Sequence, residues 1–209
     1  MSKIIKSVVF MFIVTLVFTS LVTMVKITNQ ERIERNRKVK LQRTILNVLG
    51  LNEGNSLTPR EISATYKNRI EQKELGNRTV YVCHADDGKT VSGYAFPVSG
   101  PGFWGPVHAM AAVNPEATKL LGISFYRHSE TPGLGARISE KWFTDQFKKM
   151  PLDLINNKKQ YFTLTPERDN RKQNEFDAIT GASRTSDAVE LFLNRELKTV
   201  VGKLRNNRN

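Results

Sequence analysis

Nineteen consecutive residues near the N-terminus, Ser7 to Val25, carry no charge and consist mainly of Val, Phe, Ile, Leu and Met. A helix rises about 1.5 Å per residue, so this run spans roughly 28 Å, the hydrocarbon thickness of a bilayer. A cleaved signal peptide is the rival reading. The run is long for the apolar region of such a peptide, and no Ala-x-Ala cleavage site follows it. The segment therefore reads as one retained transmembrane helix, and the rest of the chain must fold outside the bilayer.

That remainder has the material for one ordinary domain. The chain has 209 residues, of which 39% are apolar and 25% charged. Its formal net charge of +12 admits nucleic acid, anionic lipid or an acidic protein as partner. Nucleic acid is disfavoured by where the charge lies. Lys26, Arg32, Arg35, Arg37, Lys38, Lys40 and Arg43 crowd directly after the apolar span, where they read as headgroup contacts. The single cysteine, Cys83, excludes an internal disulfide framework and any cysteine-only metal cage. It lies in Thr79–Cys83, a strand-like run, which suggests a buried structural thiol. The three histidines, at 84, 108 and 128, show no metal-ligand spacing.

Along the chain, Ile27 to about Leu51 predicts a charged helix continuing from the span. Thr58-Pro59-Arg60-Glu61 is a helix start, leading to about Leu75, with Gly76-Asn77 closing it. Thr79–His84 and Thr90–Val98 form a hairpin through an Asp-Gly step. A second strand pair is expected at His108–Val113 and Leu121–Arg127, turning at Asn114-Pro115-Glu116. Ser139–Lys149 predicts a helix with Trp142, Phe143, Gln146 and Phe147 inward. Between Lys158 and Lys172 one strand, Tyr161–Thr165, precedes a charged loop. The fold class is α+β, with a mainly antiparallel sheet.

Three stretches carry the chemistry. Ser99-Gly100-Pro101-Gly102-Phe103-Trp104-Gly105-Pro106 is rigid at its prolines, open at its glycines, and bears two large aromatics. It is either a wide hairpin with Trp104 as a core anchor or a wall for a planar ligand. Ser129-Glu130-Thr131-Pro132-Gly133-Leu134-Gly135-Ala136 repeats the glycine pattern and feeds a helix. Third, Asp177-Ala178-Ile179-Thr180-Gly181-Ala182-Ser183-Arg184-Thr185-Ser186 packs four hydroxyls into seven residues. Val189, Leu193, Leu197, Val200, Val201 and Leu204 then recur at helical spacing, with Asp187 and Glu190 as a start signal of the capping-box type. A small hydroxyl-rich turn entering a helix serves equally as an ordinary N-cap or as a phosphate site at the positive end of the helix dipole.

The third stretch resembles the flavinylation motif of a family of membrane-anchored FMN-binding subunits. The family comprises the C component of the sodium-translocating NADH:quinone oxidoreductase (Nqr) and the G component of the Rnf electron-transport complex. The other two stretches match the same family, in the same order, and the resemblance spans the whole chain. It implies that a flavin transferase joins the phosphate of FMN to a hydroxyl through a phosphoester. The acceptor, the residue after Gly-Ala, is here Ser183. The family usually has threonine at that position; serine offers the same nucleophile without the methyl group. Arg184 stands where the family tends to be apolar. It either pairs with the phosphate or faces water. Thr180, Gly181, Ala182 and Thr185, together with Glu130, Thr131, Gly133, Leu134 and Gly135, are then expected to line the phosphate and ring, with Trp104 as a wall.

The implied function is an electron-transfer subunit, not an enzyme in its own right, working with other membrane subunits of an Rnf- or Nqr-type complex. The alternatives are a stand-alone flavinylated extracytoplasmic carrier or a non-redox basic membrane adaptor. The implied layout is a short cytoplasmic N-terminus (1–6), the transmembrane helix (7–25), a juxtamembrane helix and linker (26–60) and an FMN-binding domain (61–209). Charge and resemblance disagree on topology. The basic flank favours a cytoplasmic body, whereas the family places its flavin domain on the extracytoplasmic side of the inner membrane. The second is adopted here, because long domains translocate largely regardless of charge.

Overall fold

The structure is a computed structural model, and it describes residues 2–52, 54, 56–153, 160–166 and 172–206. Two compact units divide it, Met1–Leu41 and Gln42–Asn209. The described residues of the first are helical, as part of helix α1 (Ser2–Val48). Phe10, Met11, Phe12 and Phe18 are each 64–67% exposed along it. An apolar surface of this extent suits lipid, and the helix is long and apolar enough to cross a membrane.

The second unit is built on a five-stranded antiparallel meander. Strands β1 (Ile70–Glu74), β2 (Thr79–His84), β3 (Val91–Pro101), β4 (Pro106–Val113) and β5 (Leu120–Arg127) pair in chain order. Each turn has its own chemistry. Between β2 and β3, Asp87 accepts the N–H groups of Lys89 and Thr90, and Gly88 takes φ +67°. The Thr90 hydroxyl, followed by those two N–H bonds, holds the Asp87 carboxyl down at about 2. Between β4 and β5, Asn114 Oδ1 accepts from Thr118 N and Lys119 N.

Strand alternation gives the sheet two covered faces. Val107, Ala109, Ala111 and Val113 of β4 join Phe96, Val98, Ile123 and Phe125 under helix α4 (Ser183–Asn206). The expected apolar stripe of α4, from Val189 to Leu204, is buried there. Met110 and Ala112 point the other way, meeting Tyr81, Ala95, Ile45 and Val48. The two layers approach closely at Gly100, where an added Cβ would lie 2.2 Å from Phe192 Cβ. Cys83 is buried, as expected, with the Ser92 hydroxyl 3.0 Å from its sulfur.

Helix α2 (Pro59–Arg69) starts where the sequence indicates, with both halves of a Thr58–Glu61 capping box formed. It does not run to Leu75. Residues 70–74 are strand β1, paired from Ile70↔Cys83 to Glu74↔Thr79. Sheet pairing overrides the helix-forming Glu-Gln-Lys-Glu run, and its charges suit an edge strand. The helix expected over Ser139–Lys149 is also shorter. A 3-10 helix covers Gly135–Ser139 and α3 only Lys141–Asp145, after which i→i+3 bonds take over and Lys149 adopts φ +59°. The tight winding still turns Phe143 and Phe147 inward, their rings 5.6 Å apart, while Trp142 stays partly exposed.

The strand expected at Tyr161–Thr165 is β6 (Thr163–Thr165), parallel to β7 (Glu175–Asp177). Most of the charged loop between them lies outside the described residues. Asn194 of α4 fastens the segment before β6, accepting from Tyr161 N and Phe162 N and donating to Phe162 O. The opposite end of α4 is tied by Arg205, whose guanidinium donates to the carbonyls of Ala117 and Leu152.

Candidate functional site

The three glycine- and hydroxyl-bearing stretches lie about 30–50 residues apart in sequence and meet at one corner of the second unit. The first is the β3–β4 turn. Pro101 pairs with Pro106, and Gly102 N donates to Gly105 O at 2.8 Å, leaving Phe103 and Trp104 at the tip. Trp104 is 65% exposed, so it is no core anchor. Its indole meets the Phe103 ring edge-on, with centroids 4.9 Å apart.

The second stretch is a β-turn of type II pattern. Leu134 N donates to Thr131 O at 3.1 Å, Pro132 takes the second position and Gly133, at φ +75°, the third. Ala136 N also donates to Thr131 O, which launches the 3-10 helix. At Gly133 an added Cβ meets no protein atom within 4 Å, so a side chain there is opposed only by the backbone angle.

The third stretch turns in the same way, with Ala182 N bonding Ile179 O at 2.9 Å and Gly181 at φ +79°. Helix α4 begins immediately, at Ser183, one turn earlier than the Asp187–Glu190 signal suggested. Ser186 explains the shift. Its N–H and hydroxyl both donate to Ala182 O, and its oxygen accepts from Ile179 N. Glu190 is engaged elsewhere, by Leu164 N. Ser183 therefore occupies the first helical position with its side chain exposed, beside N–H groups that have no intrahelical acceptor.

Contacts between the stretches are specific. Leu134 packs on Gly181, where an added Cβ would lie 3.2 Å from Leu134 Cδ2. The Arg184 guanidinium sits 5.2 Å over the Phe103 ring. Glu130, only 5% exposed, joins all three stretches. Its Oε1 accepts from Phe103 N (2.9 Å) and Trp104 N (3.1 Å), and its Oε2 accepts from the Thr185 hydroxyl (2.6 Å). Thr185 is thus buried and committed to Glu130, whereas Ser183, Thr180, Thr131, Gly133 and Leu134 all face outward and Gly135 is buried against Glu130. Sequence reasoning missed the carboxylate's bonds and the cation over Phe103. The one available signal was an acidic residue placed just before a turn otherwise made of small and apolar residues.

A buried carboxylate thus clamps three turns beneath an exposed helix-start hydroxyl. Residues 102–198, which contain these groups, match the family model of the FMN-binding domain. The chain is also similar in sequence to the C component of Nqr and the G component of Rnf. It is 34% identical over 105 residues to the G component of the proton-translocating ferredoxin:NAD(+) oxidoreductase complex of Clostridium ljungdahlii, covering 50% of this chain and 51% of that protein. It is 28% identical over 134 residues to the C component of the Na(+)-translocating NADH-quinone reductase of Neisseria meningitidis serogroup A, covering 64% and 49%. The matches thus span about half the length of these curated relatives. Among solved structures, the C component of the Na(+)-translocating NADH-quinone reductase from Parabacteroides distasonis superposes with a TM-score of 0.67 at 22% identity, covering 84% of this chain and 96% of that one. The fold is therefore shared, and the apolar helix α1 marks the protein as membrane-anchored.

The corner fits the phosphate end of FMN. It offers a nucleophilic hydroxyl at the start of a 24-residue helix, a guanidinium on the next residue, and a neighbouring turn whose glycine has clear space at its Cβ position.

Proposed function

We propose that this protein is a membrane-anchored flavoprotein subunit of an Nqr- or Rnf-type ion-translocating complex, carrying FMN esterified to Ser183 and relaying electrons between its neighbours. The observation that carries this reading is the convergence of three separated stretches on one corner, with the Ser183 hydroxyl turned outward. Bound FMN supplies the redox chemistry, taking electrons singly or in pairs.

The chain's own residues bind and orient. Ser183 holds the phosphate, and the first-turn N–H groups of α4 and the Arg184 guanidinium favour its negative charge. Gly133 lets backbone approach the ligand, while Thr180, Gly181, Ala182, Thr131, Leu134 and Gly135 shape the floor. Phe103 and Trp104 offer an aromatic wall. A covalent tether has a physical use, because a carrier outside the cytoplasm has no nearby FMN pool from which to rebind. A flavin transferase makes that tether, and the basic flank of α1 contacts lipid headgroups.

The test is a denaturing gel of the full chain co-expressed with a flavin transferase. Ultraviolet fluorescence on the polypeptide band is expected, since only covalent flavin survives denaturation; a dark band contradicts the attachment.

Topology follows from the same reading. Residues from about Thr28 onward are expected outside the cytoplasm, so a C-terminal reporter active only in the cytoplasm stays silent. A bright reporter shows that the basic flank decides orientation instead.

Gly133→Val separates a ligand loop from a mere helix lead-in. Its φ of +75° makes the change cost about 1–3 kcal/mol, yet the new side chain meets no protein atom near its Cβ. Flavin incorporation is expected to fall while the melting temperature drops only modestly. Unchanged flavin content with lost stability assigns the loop to folding alone.

A further inference from the structure

We infer that Glu130 is a positioning residue whose bond to Thr185 fixes the rotation of the first turn of α4 and so presents Ser183 outward. This rests on the reading of Ser183 as the attachment point and adds how the fold aims it. Successive helical residues are separated by about 100°, so the side chains at 183 and 185 project roughly 200° apart, on opposite sides of the helix. Holding Thr185 inward therefore holds Ser183 outward. Thr185 is held: it is 2% exposed and its hydroxyl lies 2.6 Å from Glu130 Oε2.

The other carboxylate oxygen faces the β3–β4 turn. Oε1 accepts the consecutive N–H groups of Phe103 and Trp104, so one buried side chain registers the aromatic tip against the helix start. Two glycines make room for this carboxylate and its neighbours. An added Cβ would come within 2.5 Å of Oε1 at Gly102 and within 2.6 Å of Oε2 at Gly135. Glu130, Thr185 and Gly102 thus act beneath the site and have no need to touch the cofactor.

The experiment uses the full-length chain in detergent, with and without a co-expressed flavin transferase. Thr185→Val keeps the side-chain shape and removes the donor, Thr185→Ser restores the donor, and Asn194→Ala serves as a destabilised control in the same helix. In the unflavinylated protein, Thr185→Val is expected to raise amide exchange of residues 186–189 at least tenfold. In the co-expressed protein it is expected to cut flavin per polypeptide at least tenfold, with a melting temperature no lower than that of Asn194→Ala. Thr185→Ser should return both readouts to within twofold of the parent. Adding Glu130→Gln to Thr185→Val should change flavin content by less than a further twofold, because both act through one bond. Unchanged exchange in Thr185→Val, an equal flavin loss in Asn194→Ala, or additive losses in the double variant overturns the inference. A parent protein without flavin contradicts the Ser183 attachment instead, and the exchange comparison still decides whether Glu130 pins the helix start.

Discussion

Replacing Ser183 by alanine is expected to leave a folded domain without covalent flavin. The hydroxyl oxygen is the only heavy atom removed, and it lies on the exposed side of α4 at its first helical position. Exposed substitutions away from packing and caps change stability by about 0.5 kcal/mol or less, so the melting temperature should barely move. The loss of flavin should be complete, because a phosphoester cannot form on a methyl group. Ser183→Thr should retain attachment, since threonine keeps the oxygen. Flavin persisting in Ser183→Ala moves the acceptor to a neighbouring hydroxyl. Thr180 would be the first candidate, because it is exposed in the preceding turn, whereas Thr185 is buried and bonded to Glu130.

The second large effect is expected at Gly100, where β3 packs on α4. A Cβ added there would lie 2.2 Å from Phe192 Cβ and 2.6 Å from Phe192 Cγ. Neither is the free end of a flexible side chain, so relief requires moving α4 away from β3. Overpacking of this kind costs about 3 kcal/mol, which for a domain of this size corresponds to a fall of roughly 10 °C in melting temperature. Gly100→Ala should also reduce flavin content, since the displaced helix carries Ser183. The pairing of effects distinguishes it from Ser183→Ala, which loses flavin and keeps stability. A Gly100→Ala protein that melts like the parent contradicts the close docking of α4 on the sheet.

The two variants show which parts of the molecule were open to sequence reading. Glycine turns, the helix start at Thr58-Pro59-Arg60-Glu61 and the apolar stripe of α4 are local patterns, and each was legible because its cause lies within a few residues. What was not legible depends on partners far along the chain. Residues 70–74 have helix-forming composition and become strand β1 only because β2 is present to pair with them. The start of α4 was assigned to Asp187 by its capping pattern, but the Ser186 hydroxyl and Gly181 set it at Ser183. The strand β7 pairs in parallel with β6, which local alternation over three residues does not signal.

The candidate site divides along the same line. The three stretches that build it were each visible, and Ser183 was singled out by the resemblance to the flavinylation motif, whose acceptor follows Gly-Ala. Their convergence was not visible, because Glu130 reaches its partners across 26 to 55 residues of chain. Thr185 shows the consequence. As sequence it is one more hydroxyl near a phosphate site, and in the fold it is an internal anchor whose hydroxyl is bonded to Glu130.

The most direct test of the account is the mass of the peptide containing Ser183 from protein co-expressed with a flavin transferase. The account predicts an increase of one FMN less one water, located by fragmentation on the Ser183 side chain. An unmodified peptide, or the same increase located on Thr180 or Thr185, contradicts it.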